Sequence, residues 1–212
     1  MKAELTTSRS YRGLSQEERR ADRRARLIAA AIAVYGERGY HQATVKAVCE
    51  SAGLTERYFY ESFPNSEALL IASFNAVTYA VLGEITRAAK DAGRGRIARS
   101  RAMLHAYFAA LQREPRSARV FLLEIRGVSR AVDLAFDGAL RAIGHEVAQI
   151  VAAPGAPDDE LLQAGVVGGV IHIALRWIDD GYAPGIDSVV DTALRLGTVL
   201  SAPQRRTRRA AT

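Results

Sequence analysis

Glu56, Arg57, Tyr58, Tyr60 and Glu61 stand within six consecutive positions, and their side chains are those that read or grip nucleic acid. A guanidinium such as that of Arg57 can donate two parallel hydrogen bonds to guanine O6 and N7. It can equally lie on a phosphate or the open surface. Tyr58 can touch a thymine methyl or a phosphate. Glu56 and Glu61 can accept from cytosine N4, or orient Arg57 and Lys46. Upstream, Thr44 and Lys46 offer a hydroxyl and an ammonium where a helix could begin, and helix N-termini attract phosphate.

These groups need two short elements to present them. Thr44 can cap a first helix, with Val45, Val48 and Cys49 on one face. Gly53 can end it in the left-handed conformation. Thr55 can cap a second helix, with Phe59 and Phe63 facing inward. Pro64-Asn65-Ser66 stops that helix, and Ser66 with Glu67 opens the next. Two short helices around a glycine turn form either a helix-turn-helix, whose second helix enters the major groove, or an ordinary helical hairpin. Upstream, Ser15 and Glu18 form a capping-box pattern. Leu27, Ile28, Ala31, Ile32 and Tyr35 make an apolar stripe to carry the pair. Gly36 and Gly39 bracket the end of this first helix. Its arginines (Arg19, Arg20, Arg23, Arg24, Arg26) read mainly as a solvated face paired with Glu17, Glu18 and Asp22.

Composition narrows the class. The chain has 212 residues, 49% hydrophobic, enough for a sizeable core, and lacks alternating strand patterns. It reads as all-α. One cysteine allows no internal disulfide, which suits a reducing compartment. Cys49 reads as a small buried hydrophobe. The N-terminus lacks an apolar signal core, and an apolar run such as Ala164 to Ile171 is far shorter than the roughly 20 residues of a bilayer span. The expectation is a cytoplasmic protein with no membrane partner. The net charge is +6, with 11 basic against 8 acidic residues up to Asn65, 14 against 15 from Ser66 to Ser201, and four arginines without acids thereafter. A basic head on a near-neutral body is the footprint of a DNA-binding protein, and basic termini that serve solubility give the same balance.

From Arg24 to Leu70 the chain resembles the DNA-binding head of the TetR family of transcriptional regulators. The resemblance is carried by Gly39-Tyr40, Thr44-Val45, Ala52-Gly53-Leu54-Thr55, Tyr60 with Phe63, and Glu67-Ala68-Leu69-Leu70. Two positions depart from the pattern. Arg57 stands where the family often has a small residue, and Ser66 where it often has a phosphate-touching lysine. The resemblance implies a phosphate contact for Tyr60. It implies three helices in the head and six in the body, a small-molecule cavity in the body, and dimerisation through a four-helix bundle formed with a second copy. The expected organisation is a flexible basic arm (1–14), a helix-turn-helix DNA-binding domain (15–65), a helical ligand-binding and dimerisation domain (66–201), and a basic tail (202–212). The expected DNA-facing residues are Thr44, Lys46, Thr55, Glu56, Arg57, Tyr58, Tyr60 and Glu61.

The body reads as long amphipathic helices broken at Asp91-Ala92-Gly93, Pro115, Gly127, 153–157 and 181–185, with Ser117 capping a short helix through Ile125. Candidate walls of a ligand cavity are His105, Tyr107, Phe108, Phe121, Glu124 and His172, although the aromatics read first as core and Glu124 reads also as a surface acid beside Arg126. Candidate dimer-face residues are Gly165, Val166, Gly169, Val170, Ile173, Trp177, Val189, Ala193 and Leu196. The glycines cost helix stability, roughly 1 kcal/mol each, unless another helix approaches closely. Packing within one chain is the alternative for the same residues. No His, Cys or acid spacing suggests a metal, and no nucleophile elbow or phosphate-cradling loop is present, so no cofactor or metal is expected.

Three functions fit. The first is a homodimeric regulator, most simply a repressor that leaves a near-palindromic operator when a small apolar or amphipathic effector binds. The second is a regulator without effector, controlled by abundance or a protein partner. The third is a small helical enzyme using His105, Glu124 or His172, which nothing in the sequence pairs. The arginines of the tail add non-specific DNA affinity in the first two readings.

Overall fold

Local signals determine where each helix of the computed structural model begins and ends. It describes residues 15–151 and 159–200. The expectations about the arm, the proline loop and the arginine tail lie outside the described residues. Helix α1 (Gln16–Arg38) starts at Ser15, whose hydroxyl accepts from the Glu18 amide at 3.1 Å while Glu18 accepts from the Ser15 amide at 2.6 Å. These hydrogen bonds hold the Glu18 carboxyl below its ordinary pKa. Helix α2 (Val45–Ala52) is capped by Thr44, whose hydroxyl accepts from the Ala47 amide at 3.1 Å. It ends at Gly53 with φ +62°, the Gly53 amide on the Glu50 carbonyl and the Leu54 amide on the Cys49 carbonyl. That is a Schellman closure, which satisfies the last carbonyls of the helix.

Helix α3 (Glu56–Ser62) follows after three residues. Thr55 holds its N-cap position, but the hydroxyl makes no capping bond. Helix α4 (Ser66–Asp91) begins at the expected Ser66, and Asn65 caps it by accepting from the Ala68 amide at 2.8 Å. Helices α5 (Arg96–Arg113), α6 (Pro115–Arg119), α7 (Arg130–Val151), α8 (Glu160–Asp179) and α9 (Ile186–Leu200) complete the body. Pro115 occupies the first turn of α6, where its missing N–H costs nothing. Ser117 is therefore inside the short helix and not its cap. After α6 the chain does not continue as an α-helix. Val120–Glu124 forms one π-helical turn. Among the described residues there is no strand.

The most extensive pairing is α4 with α5, and α7, α8 and α9 close around them. One apolar core runs without a break from Leu27 and Val48 in the head to Trp177 and Ala193 in the body. Phe74, fully buried, stacks on Phe121 at 5.6 Å and meets Phe136 at 5.7 Å, which ties α4 to the π turn and to α7. Phe108 meets Trp177 edge-on at 5.5 Å, and Trp177 donates to the Pro184 carbonyl at 2.7 Å.

Several side chains expected on a dimer face point inward instead. Trp177, Val189 and Ala193 are at most 5% exposed, filling the α5–α8–α9 core. A Cβ on Gly169 would lie 2.6 Å from the Leu196 side chain, so this close approach joins α8 to α9 of the same chain. Val166, Val170, Ile173 and Leu196 are half-buried. Among the described residues nothing lies against Gly165 or Gly168, and Leu161 is 86% exposed. Uninterrupted apolar runs understate two of the helices. Helices α4 and α8 are both long and apolar enough to cross a membrane by length and composition alone. Scattered polar residues hid this from a count of uninterrupted apolar positions. Helix α4 turns much of that apolarity to the core, whereas only 11% of the apolar stretch of α8 is buried.

Candidate nucleic-acid interface

Helix α3 is carried on α1 and α2, with Phe59 fully buried and Phe63 2% exposed beneath it. Anchoring one face leaves Thr55, Glu56, Arg57, Tyr60 and Glu61 on the other, all exposed. Thr44 and Lys46 are exposed at the start of α2, and Lys46 lies 3.9 Å from Glu50. Seven of the eight expected DNA-facing side chains are therefore exposed on this pair of helices.

Tyr58 differs. It is half-buried, and the Arg23 guanidinium lies over its ring at 4.5 Å, so one ring face is already covered by α1. Such a contact stabilises by roughly 0.5–1 kcal/mol at a partly exposed site. The ring is thus a platform for Arg23 more than a free reading group.

Arg57 is the best-presented cation, its side chain 84% exposed. Its Nε donates to Glu61 Oε1 at 2.9 Å, one helical turn on. Because only Nε is engaged there, the two terminal nitrogens keep the fork that matches guanine O6 and N7. Glu61 also receives Arg23 at 3.9 Å, and its carbonyl accepts from Arg20 at 3.3 Å.

The arginines of α1 do more than line a solvated face. Arg26 donates to the Ala52 carbonyl at 2.7 Å and the Gly53 carbonyl at 3.3 Å, closing the turn between α2 and α3 from outside. Arg24 lies over the Phe63 ring at 4.4 Å. Arg20, Arg23 and Arg26 recur every three residues. That period was the available signal, and it marks one helical face turned toward α2 and α3. Of the expected ion pairs on this helix, Asp22 with Arg26 is present at 3.8 Å.

The six residues expected to wall a ligand cavity do not converge. His105 and His172 are exposed. Tyr107, Phe108 and Phe121 are buried, and the Phe108 and Phe121 rings are packed on other aromatic rings. The Tyr107 hydroxyl is buried without a hydrogen-bond partner among the described residues, and burial pushes its pKa up. Glu124 is neither a cavity wall nor a surface acid beside Arg126. It accepts from the Tyr40 amide at 2.6 Å and from Arg119 Nε at 2.7 Å. Two surface hollows lie elsewhere. One of about 340 Å³ sits between α1, α2 and Arg116, and one of about 160 Å³ between α1, α4, α5 and α6. None of the six residues lines either.

Residues 27–73 match the family of bacterial regulatory proteins, tetR family. The matched segment holds the whole α2–α3 unit with its supports from α1 and α4. The fatty acid degradation regulator FadR from Bacillus halodurans has a similar structure, with a TM-score of 0.71 at 20% identity over 86% of this chain and 96% of that one. FadR from Bacillus subtilis, solved in complex with stearoyl-CoA, gives 0.66 at 21% identity over 81% and 96%. A TetR-like transcriptional regulator from Rhodococcus sp. RHA1 gives 0.68 at 17% identity over 90% and 100%. No curated protein sequence matches the chain.

Proposed function

We propose that this chain is a DNA-binding transcriptional regulator of the tetR family, a reading supported by the match of its head and the likeness of its fold, and that it works in the cytoplasm as a homodimeric repressor of a near-palindromic operator. The observation that carries the reading is α3 itself: Arg57, Glu56, Tyr60 and Glu61 stand exposed on a helix anchored by the buried Phe59. Arg57 is assigned to a guanine edge, with Glu61 orienting it. Thr44, Lys46, Thr55 and Tyr60 are assigned to phosphates, and Tyr58 supports Arg23 beside them. Binding then draws most of its strength from phosphate contacts and weakens steeply with salt.

One α3 of two turns makes few contacts, so two heads are needed, with reading helices roughly 34–36 Å apart. The apolar and glycine-lined outer side of α8, with Leu161, Gly165 and Gly168 open, is the surface we assign to the second copy. Lone protomers rarely leave so apolar a helix uncovered. Sedimentation of the purified protein, which a dimer would dominate, tests this directly.

On control, two readings are supported by different observations. The structural relative solved with stearoyl-CoA suggests release by a small amphipathic ligand. The aromatic packing around Phe74, Phe108 and Phe121 instead favours a regulator without effector, controlled by abundance or a protein partner. Titrating the operator complex with long-chain acyl-CoA thioesters separates them: release supports the first, and an unaltered complex the second.

A further inference from the structure

Five residues along an ideal α-helix rotate the side chain by about 140° from its starting direction, so Arg119 and Glu124 could not form a pair on one. The π turn Val120–Glu124 changes that. It brings Arg119 Nε to 2.7 Å from Glu124 Oε1 and directs the carboxylate at the end of α1, where Oε2 accepts from the Tyr40 amide at 2.6 Å. Arg119 also donates to the Glu37 carbonyl at 3.4 Å. The Glu124 side chain is 11% exposed, so water contributes little to holding this amide.

The receiving surface is shaped to fit. Gly39 has φ +84°, and a Cβ there would meet Arg119 at 3.2 Å and Glu124 at 3.3 Å. One turn earlier, a Cβ on Gly36 would lie 2.5–2.6 Å from Arg116 of α6, including its backbone, so nothing larger than glycine lets α6 approach α1 this closely. The chain then runs through the short turn Tyr40–Gln42 directly to Thr44, the cap of α2.

The geometry points to Glu124 as a positioning residue for operator binding: with Arg119 it clasps the Gly39–Tyr40 turn and so fixes the α2–α3 reading unit against the body. The inference rests on the DNA-binding reading above. A single head binds unspecific DNA by its charges whatever its orientation on the body. Two heads engage both half-sites together only when each is held in a fixed direction. The clasp therefore contributes to specific and not to non-specific binding.

The test uses the full chain and, as probe, the duplex that the unaltered protein enriches from a random pool, with a scrambled duplex as control. Glu124→Ala and Arg119→Met each lower affinity for the enriched site by roughly tenfold, the scale of one lost charge-assisted hydrogen bond, and leave affinity for the scrambled duplex within about twofold. Glu124→Gln, which keeps an acceptor for the Tyr40 amide, retains part of the loss. Hydrogen exchange at the Tyr40 amide rises in Glu124→Ala without DNA, a readout that survives if that variant is less stable. Equal affinity of wild type and both variants for the enriched site, or parallel losses on both duplexes, overturns the clasp. Failure of the unaltered protein to enrich any site instead overturns the regulatory reading beneath it.

Discussion

Arg57 donates its Nε proton to Glu61 Oε1 across 2.9 Å, and this pair lies open on the face of α3 that packing does not consume. An exposed pair one turn apart stabilises the helix by only a few tenths of a kcal/mol. Its value lies in direction: the guanidinium is held by its inner nitrogen, and its outer fork stays free. Arg57→Ala is therefore expected to relax discrimination at one base pair of each half-site by about 1–3 kcal/mol. Melting temperature stays unchanged, and comparison of selected sequences for the two proteins measures the loss. Identical preferences would remove Arg57 from the reading role.

Thr44 occupies the opposite end of the unit and holds the Ala47 amide. Thr44→Ala leaves that amide without its cap and costs about 1 kcal/mol. In a chain of this size that lowers the melting temperature by roughly 2–4 °C. Calorimetry checks it, and Thr44→Ser is expected to restore most of the difference.

The Phe74–Phe121 stack joins α4 to the π turn, with both rings at most 3% exposed. Phe121→Ala leaves a cavity among packed rings and is expected to destabilise by about 3–5 kcal/mol in denaturant titration. A loss below about 1 kcal/mol would show that this region repacks freely, which would revive a ligand site there.

Cys49 is 3% exposed, and burial, reinforced by Glu56, raises its thiol pKa. The folded protein should react slowly with a thiol reagent at neutral pH, and denaturation should release one fast equivalent. Fast labelling of the native protein would mean that α2 opens readily from α1.

Leu161 is 86% exposed at the start of α8. Leu161→Asp should shift sedimentation toward the monomer and weaken operator binding, with little effect on protomer stability. A variant that remains dimeric would move the interface off this end of α8.

How much of this the sequence reveals depends on the range of the signal. Ser15 with Glu18, Thr44 and Gly53 act within four residues, and each was legible because the rule that makes them caps is local. Thr55 obeyed the same pattern without making the bond, since position does not fix a hydroxyl rotamer. Trp177, Val189 and Ala193 were visible as apolar helix positions, but periodicity states only that a face is buried, not whether it is buried by the same chain or another. Helix α8 has apolar residues all round, so its pattern left the direction open. Glu124 was the least legible residue. Its partners are five and 84 positions away, the nearer reached only through a π turn and the farther a backbone amide with no side-chain signature.

The most direct measurement is selection of bound sequences from random duplex DNA by the purified full chain at near-physiological salt. A dimeric sequence-specific regulator enriches a near-palindrome whose half-sites lie about one DNA turn apart, with a guanine in each that Arg57→Ala no longer demands. Enrichment of no sequence, or of a motif without twofold symmetry that is indifferent to Arg57, would contradict it.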